Sequence, residues 1–179
     1  RLTYPPSQQQ SRLQFSDIDK FCLQNTTNRL VFVDNHYSPD LSNVADSQIQ
    51  ILGNLHSLMS SHASTIESHL GHYAKFDHDI FTALNTAFLH DSALIIVPAK
   101  TCITEPIHLL FIASQQEVSS YPRSLVVSGP DSKVTLIEDY VSINQSSYIK
   151  NTVTKIRLAT HTQVEHIRVQ RDSKQAHHL

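Results

Sequence analysis

Glycine, cysteine and long apolar stretches are scarce in this chain of 179 residues. Its glycines are only Gly53, Gly71 and Gly129, so it has no Gly-rich loop to cradle phosphates, and we do not expect it to bind nucleotides. No apolar run approaches the ~20 residues of a membrane-spanning helix, and the first residues do not resemble a signal peptide. The formal net charge of −2 gives no electrostatic reason to propose a nucleic acid or a membrane as a partner.

The two cysteines, Cys22 and Cys102, lie far apart in the sequence, and neither belongs to a recognisable pair motif. This low count is typical of a reducing compartment rather than of a disulfide framework, so we expect a cytoplasmic protein of a bacterial or organellar cytosol. Lys100 lies close to Cys102 and would favour a reactive thiolate. We nevertheless predict that Cys102 is a buried structural thiol.

Histidine, in contrast, is abundant, with 12 residues. The patterns nearest to a metal-ligand motif are His69-x-x-His72 and the neighbours His177 and His178. A structural zinc site needs about four converging ligands, usually with thiolates among them, and neither pattern has a cysteine or an acidic cluster beside it. We therefore predict surface or packing roles for most histidines, and we assign no metal ligand.

Glu138 and Asp139 resemble a pair of catalytic carboxylates. Neighbouring residues of a strand point to opposite faces, however, so these two cannot easily flank one bond of a substrate. Strand-end capping or ion pairing is the preferred interpretation. The sequence therefore gives no candidate catalytic residue and no cofactor-binding residue.

Short strand-like segments recur along the second half of the chain. Three of these segments share one pattern: a polar pair, a spacer residue, an apolar residue, an alternating stretch and a β-branched residue, in that order. A second apolar strand lies near each of the three segments. The three segments are residues 91–97, 131–137 and 161–167, and their neighbouring strands are residues 107–112, 124–128 and 155–159. Aligning the segments places Leu136 opposite His166. A strand unit that recurs every thirty to forty residues predicts successive turns of a solenoid.

The order of these patterns divides the chain into three regions. Residues 1–28 are polar and rich in Gln and Ser, and we predict a linker or a partly ordered segment. Residues 29–91 form a strand and helix lead-in, and residues 92–179 form the first rungs of a truncated β-helix. Because the sequence stops directly after a strand, with no cap on the last rung, we expect it to be a piece of a longer protein.

Within the lead-in region we predict strands at 30–33 and 48–52 and two helices. The first helix has apolar residues on one face and ends near Gly71, and the second begins at a cap provided by Asp77. The apolar face of the first is Leu55, Leu58, Met59, His62, Ile66 and Leu70; that of the second is Ile80, Phe81, Leu84, Ala87 and Phe88.

Several longer motifs are similar to the SufB/SufD family of the SUF system, which assembles iron–sulfur clusters. They are Asp-His-Asp-Ile-Phe-Thr-Ala-Leu-Asn-Thr-Ala-Phe at 77–88, Glu-Pro-Ile-His-Leu-Leu-Phe at 105–111, Val-Thr-Leu-Ile-Glu-Asp-Tyr-Val-Ser at 134–142 and Val-Glu-His-Ile-Arg-Val-Gln at 164–170. The resemblance runs from about residue 29 to the end. The motifs at 29–34 and 82–88 favour the SufD branch over the SufB branch.

This resemblance implies a right-handed parallel β-helix and a non-enzymatic scaffold subunit. Its implied partners are a SufB-like subunit and a SufC-like ATPase, and an iron–sulfur cluster or iron belongs to the full complex rather than to this fragment. The subunit interface and the ATPase docking region would lie beyond Leu179. Two alternatives stay open: a SufB-type cluster scaffold, which should carry core cysteines, and a β-helix enzyme acting on polysaccharide, which should carry a ladder of acidic residues that the aligned segments lack.

Overall fold

The computed structural model describes residues 4–6, 12–24, 26–45, 49, 51–70 and 79–179; for residues 51, 61, 62, 64, 65 and 67–70 it describes the backbone alone. Within these ranges the protein is mainly β, with few helices. The strands are β1 (Asn28–Val33), β2 (His36–Tyr37), β3 (Ile51–Asn54), β4 (Ala93–Val97), β5 (Ile107–Ala113), β6 (Ser119–Ser120), β7 (Arg123–Ser128), β8 (Lys133–Ser142), β9 (Ile149–Lys150), β10 (Val153–Leu158), β11 (Gln163–Arg171) and β12 (His177–His178). The α-helices are α1 (Phe15–Ile18), α2 (Leu55–Leu70) and α3 (Ile80–Ala87), and short 3-10 helices span Asp19–Phe21 and Pro39–Leu41.

The strands form three sheets in which most pairs are parallel. The orders are β11-β8-β5-β1-β2, β10-β7-β4-β3 and β12-β9-β6. From β4 onward, consecutive strands enter the three sheets in a fixed rotation, so each strand pairs in parallel with the third strand after it. Only β2 on β1 and β3 on β4 pair antiparallel among these strands.

The strand pairing confirms that two of the three predicted segments are equivalent and shows that the third is not. Leu136 pairs with His166 across β8 and β11, as the alignment of residues 131–137 with 161–167 predicted. The equivalence of residues 91–97 with these two segments is wrong, because β4 lies in the four-stranded sheet and pairs with β7. Alternation has the same period in every strand, so the pattern alone does not distinguish a strand from its successor.

The central core draws buried side chains from both larger sheets. An aromatic row crosses three neighbouring strands, with ring centroids 5.2 Å apart for Phe32 and Phe111 and 5.1 Å apart for Phe111 and Tyr140. Apolar side chains fill the rest. The buried members are Leu30, Phe32, Ile49, Ala93, Ile95, Val97, Ile103, Ile107, Leu109, Phe111, Val126, Val134, Leu136 and Tyr140. Burial of this surface, at about 25 cal/mol per Å², is the main stabilising term of such a fold.

Helices and turns cover the outer faces of the two larger sheets. The predicted first helix is confirmed as α2, whose fully buried Ile66 packs with apolar residues of β4 and β7, although Met59 is exposed. Gly71, its predicted end, lies outside the described residues. On the five-stranded sheet, Ile18 of α1 packs against a second apolar cluster. That cluster contains Val31, Val33, Leu41, Leu110, Ile112 and Val141.

Helix α3 confirms the second predicted helix, and Asp79 caps it. The Asp79 carboxylate accepts hydrogen bonds from the backbone N–H of Phe81 at 3.0 Å and from the hydroxyl of Thr82 at 2.5 Å. Asp77, the predicted cap, lies outside the described residues. The side chain of the buried Asn85 donates to the carbonyls of Pro122 and Asn151 at 3.1 and 2.8 Å, so it ties α3 to the sheets.

A tight connection between β7 and β8 occupies the predicted turn at 128–131. A Cβ added at Gly129 would lie 2.6 Å from the backbone nitrogen of Ala99, so only glycine fits this close approach. Asp131 adopts a positive φ of 56° in the same turn.

None of the helices in the described ranges has the length and the apolar character needed to cross a lipid bilayer.

Candidate functional site

Ionisable side chains replace apolar ones on the core-facing side of the later strands. In β8 the alternation that buries Val134, Leu136 and Tyr140 also turns Glu138 inward, and Glu138 is fully buried. Lys150 of β9 is buried as well, with 2% of its side chain exposed. Buried charges need partners, because an unpaired charge in a protein interior is strongly destabilising. The structure supplies those partners in two connected groups.

The first group surrounds Glu138. The hydroxyl of Thr154 lies 2.8 Å from both of its carboxylate oxygens, and Nε2 of His166 lies 3.0 Å from one of them. The hydroxyl of Tyr140 donates at 3.3 Å. Burial alone would raise the pKa of this carboxyl, but the hydrogen bonds, led by that from His166, outweigh burial and lower the pKa of Glu138. Glu138 is therefore charged at neutral pH.

The second group surrounds Asp172, in the loop between β11 and β12. Its carboxylate accepts hydrogen bonds from the Lys150 ammonium at 2.7 Å, from the Tyr148 hydroxyl at 2.6 Å and from Nδ1 of His178 at 2.7 Å. Burial opposes the charge of Asp172, but the hydrogen bond from His178 and the charge of Lys150 outweigh it and lower the pKa of this carboxyl. Burial lowers the pKa of Lys150, and Asp172 limits that shift.

Arg168 joins the two groups. Its guanidinium carbon lies 4.9 Å from the ring centroid of Tyr140, and it donates to Nε2 of His178 at 2.9 Å and to the hydroxyl of Thr152. His178 satisfies both contacts in the tautomer that carries its proton on Nδ1. Lys150 also lies 5.3 Å from the ring of Tyr140. The result is one continuous network, in which each charged group is held by at least one partner.

The other carboxylate of the predicted pair, Asp139, lies outside this network. It points to the opposite side of β8, where the Arg171 guanidinium donates to both of its oxygens and Nε2 of the buried His108 lies 3.5 Å away. Burial opposes its charge, but the contacts with His108 and Arg171 outweigh burial and lower the pKa of Asp139. Arg171 also donates to the carbonyl of Phe21 at 3.2 Å, so the ion pair fastens the N-terminal segment to β11.

The structure also locates the remaining candidates. Cys102 lies exposed in the connection between β4 and β5, outside the sheets, so the predicted buried thiol is wrong. Cys22 is half-buried, and burial raises the pKa of its thiol. Both cysteines are free. Within the described residues no group of three or more His, Cys, Asp or Glu side chains is arranged to hold a metal ion.

Of the two histidine patterns, the structure describes the side chains of His177 and His178, and these two point to different surroundings. His178 turns inward to Asp172, whereas its neighbour His177 is exposed. For His69 and His72, the side chain of the first and the whole of the second lie outside the described residues. The sequence reasoning missed Lys150 and Asp172, although the match of Leu136 with His166 was a signal that polar residues replace apolar ones in later strands.

Two comparisons with known proteins identify the family of this chain. A family model described as the SufBD protein N-terminal region matches residues 9–109, and a model described as the SufBD core domain of the SUF iron–sulfur cluster assembly system matches residues 111–179. The chain is 36% identical over 163 residues to an iron–sulfur cluster assembly SufBD family protein of Synechocystis sp. strain PCC 6803. That alignment covers 84% of this chain but 36% of the relative. The chain belongs to the SufBD family of iron–sulfur cluster assembly proteins.

Proposed function

We propose that this chain is part of a SufD-like, non-enzymatic scaffold subunit that supports cluster assembly or iron acquisition in a SufBCD-type complex. The observation that carries the proposal is the match of both family regions over nearly the whole sequence. The motifs at residues 29–34 and 82–88 favour the SufD branch. The implied partners are a SufB-like subunit and a SufC-like ATPase.

The proposed architecture of this scaffold is a right-handed parallel β-helix. Three mainly parallel sheets that receive the strands from β4 onward in rotation support it, as does the 30-residue separation of the paired residues Ser124 and Thr154. In such an arrangement each strand is one side of a turn, and the central core is the interior of the helix. The buried network would then lie in the interior of the later turns.

The chemistry of the network supports a structural role rather than catalysis. Its carboxylates, Glu138 and Asp172, are each held by several donors, and their lowered pKa values make them poor general acids at neutral pH. Iron or a cluster would be cargo of the assembled complex. We propose that the ligands for this cargo come in part from residues outside this sequence.

Co-purification of the full-length protein with its SufB-like and SufC-like partners, expressed together and with one tag on this protein, tests the proposal. We expect a stable complex of all three. Recovery of neither partner would refute the scaffold function, and activity of the purified protein on a polysaccharide panel would favour the enzyme alternative.

A second measurement separates the SufD-like from the SufB-like assignment. The purified full-length protein, incubated anaerobically with ferrous iron, sulfide and a thiol reductant, should develop no stable cluster absorption in the visible range. A stable cluster on this protein alone would instead favour the SufB-type scaffold.

A further inference from the structure

Helix α3 turns its apolar stripe away from the protein. Ile80 and Leu84 of the helix and Phe88 at its end follow one another at intervals of four residues, so they lie on one side, with Phe81 beside them. Their exposed fractions are 77%, 38% and 43%, and that of Phe81 is 48%. A surface helix normally directs such a stripe to the core, and a contiguous exposed apolar patch marks a binding surface. We call these four residues the outer face of α3.

Polar contacts hold α3 in this orientation. Asn85, on the side of the helix that faces the sheets, is fully buried and donates to the carbonyls of Pro122 and Asn151. The side chain of Asn151 in turn donates to the carbonyl of Phe81 at 2.8 Å. A rotation of the helix that buried the outer face would break these hydrogen bonds and leave a buried amide without partners, which is costly. The exposure of the outer face therefore follows from how the helix is anchored.

One position recurs beside α3 after each strand of the three-stranded sheet. The backbone N–H of Asn151 donates to the carbonyl of Ser120 at 2.9 Å, and the N–H of Leu179 donates to the carbonyl of Lys150 at 2.7 Å. Tyr121, Asn151 and Leu179 directly follow β6, β9 and β12, so they occupy equivalent positions. Neighbouring strands are about 4.8 Å apart, which separates the first of these positions from the last by about 10 Å.

Helix α3 runs along these positions, and its first turn points to the open edge of the sheet. At the end of the helix the ring centroid of Phe88 lies 4.9 Å from that of Tyr121, whereas the carbonyl of Phe81 in the first turn meets Asn151, one strand further on. The seven residues from Phe81 to Phe88 span about 10 Å, so the helix crosses about two strand spacings. Ile80 is therefore the end of the outer face nearest to the open edge.

The chain that follows Leu179 is the occupant that fits this surface. Leu179 donates to Lys150, and its carbonyl accepts from the N–H of Thr152 at 3.0 Å, which is the bonding pattern of a parallel strand. The backbone is thus already in register with the segment that leads into β10. The side chain of Leu179 is 49% exposed, so apolar surface is open at the same edge. The Synechocystis relative is longer than this chain, since the alignment covers 36% of it.

We propose that α3 is the docking surface for the segment directly after Leu179, which continues in parallel on β10 and packs apolar side chains against Ile80 and Phe81. This inference rests on the β-helix architecture proposed above and not on the identity of the partner subunits. The helix then sets the position of the next turn, because its own position is fixed by the two turns before it. In this way α3 joins the N-terminal region to the later part of the same subunit.

Thiol labelling of the full-length protein with a maleimide, followed by mass spectrometry of its peptides, tests whether the outer face is covered. We expect Ile80→Cys to react at least about tenfold more slowly than Ser57→Cys, because a covered side chain reacts only when the segment over it opens locally. Ser57 is the matched control, since it is exposed and lies in the first turn of α2, as Ile80 lies in the first turn of α3. The exposed Cys102 is the reference for the labelling rate in each sample.

A photo-reactive benzophenone amino acid at position 80 of the full-length protein identifies the occupant. We expect a cross-link within one molecule, to the peptide that directly follows Leu179. Equal labelling rates for Ile80→Cys and Ser57→Cys would overturn the proposal. So would the absence of this cross-link, or cross-links only to a second copy, to a partner subunit or to another part of the chain. Co-purification with the proposed partners is a separate measurement, so a failure of the docking surface and a failure of the scaffold function can be distinguished.

Discussion

The ion pair between Lys150 and Asp172 makes a strong quantitative prediction. Replacing Asp172 with Asn keeps the shape of the side chain and removes its charge. Lys150, with 2% of its side chain exposed, then loses its charged hydrogen-bond partner at 2.7 Å. An uncompensated buried charge costs about 3–5 kcal/mol, so we expect Asp172→Asn to lower the free energy of unfolding by that amount.

The reverse substitution should be milder. Lys150→Met removes the positive charge and leaves Asp172 with hydrogen bonds from Tyr148 and His178, so the expected cost is about 1–3 kcal/mol. The double variant contains neither charge, so it buries no uncompensated charge. We therefore expect the double variant to be more stable than Asp172→Asn alone.

Urea unfolding of the full-length protein and its three variants, followed by circular dichroism, measures these differences as a double-mutant cycle. Lys174→Met, which removes an exposed lysine two residues from Asp172, is the matched control and should change stability by less than about 0.5 kcal/mol. Additive costs of the two single substitutions, or a cost of less than about 1 kcal/mol for Asp172→Asn, would refute the description of the network.

Three further predictions follow from single features. The pKa of Asp172 is lowered in the folded protein, so its contribution to stability is complete above the unfolded pKa of about 3.9 and is lost as the pH falls through the folded value. When the pH is lowered below about 4, the urea concentration at the midpoint of unfolding should therefore decrease in the unaltered protein, and decrease less in Asp172→Asn. Gly129→Ala should lower the midpoint of thermal unfolding, since its Cβ would lie 2.6 Å from the nitrogen of Ala99; an unchanged midpoint would show that the turn adapts. A thiol reagent at pH 8 should modify the exposed Cys102 well before the half-buried Cys22, and equal rates for Cys102→Ser and Cys22→Ser would contradict this assignment.

The elements that the sequence predicted correctly are those with a strong local period. Helix α2 follows from apolar residues at spacings of three and four, and Leu30 to Val33 form a strand because they are a short apolar run closed by Asp34 and Asn35. The match of Leu136 with His166 was predicted as well, from the polar pair and the spacer that precede both segments, although the same pattern wrongly included residues 91–97.

The features that the sequence did not reveal depend on long-range contacts. Asp172 lies in a loop with no local motif, and its role arises because Lys150 and Tyr148, 22 and 24 residues earlier in the sequence, donate hydrogen bonds to it. Cys102 was predicted to be buried, but it lies exposed in the connection between β4 and β5. Local patterns do not encode which residues from separate strands face the same space.

The two antiparallel strands, β2 and β3, make the two edges of each larger sheet different. β2 and β3 run antiparallel to the strands beside them and form one edge of each larger sheet, so the repeated parallel pairing ends at these strands. The opposite edges, formed by β10, β11 and β12, keep backbone N–H and C=O groups oriented for another parallel strand. A further strand that keeps the parallel pairing of the three sheets would therefore bind at these edges.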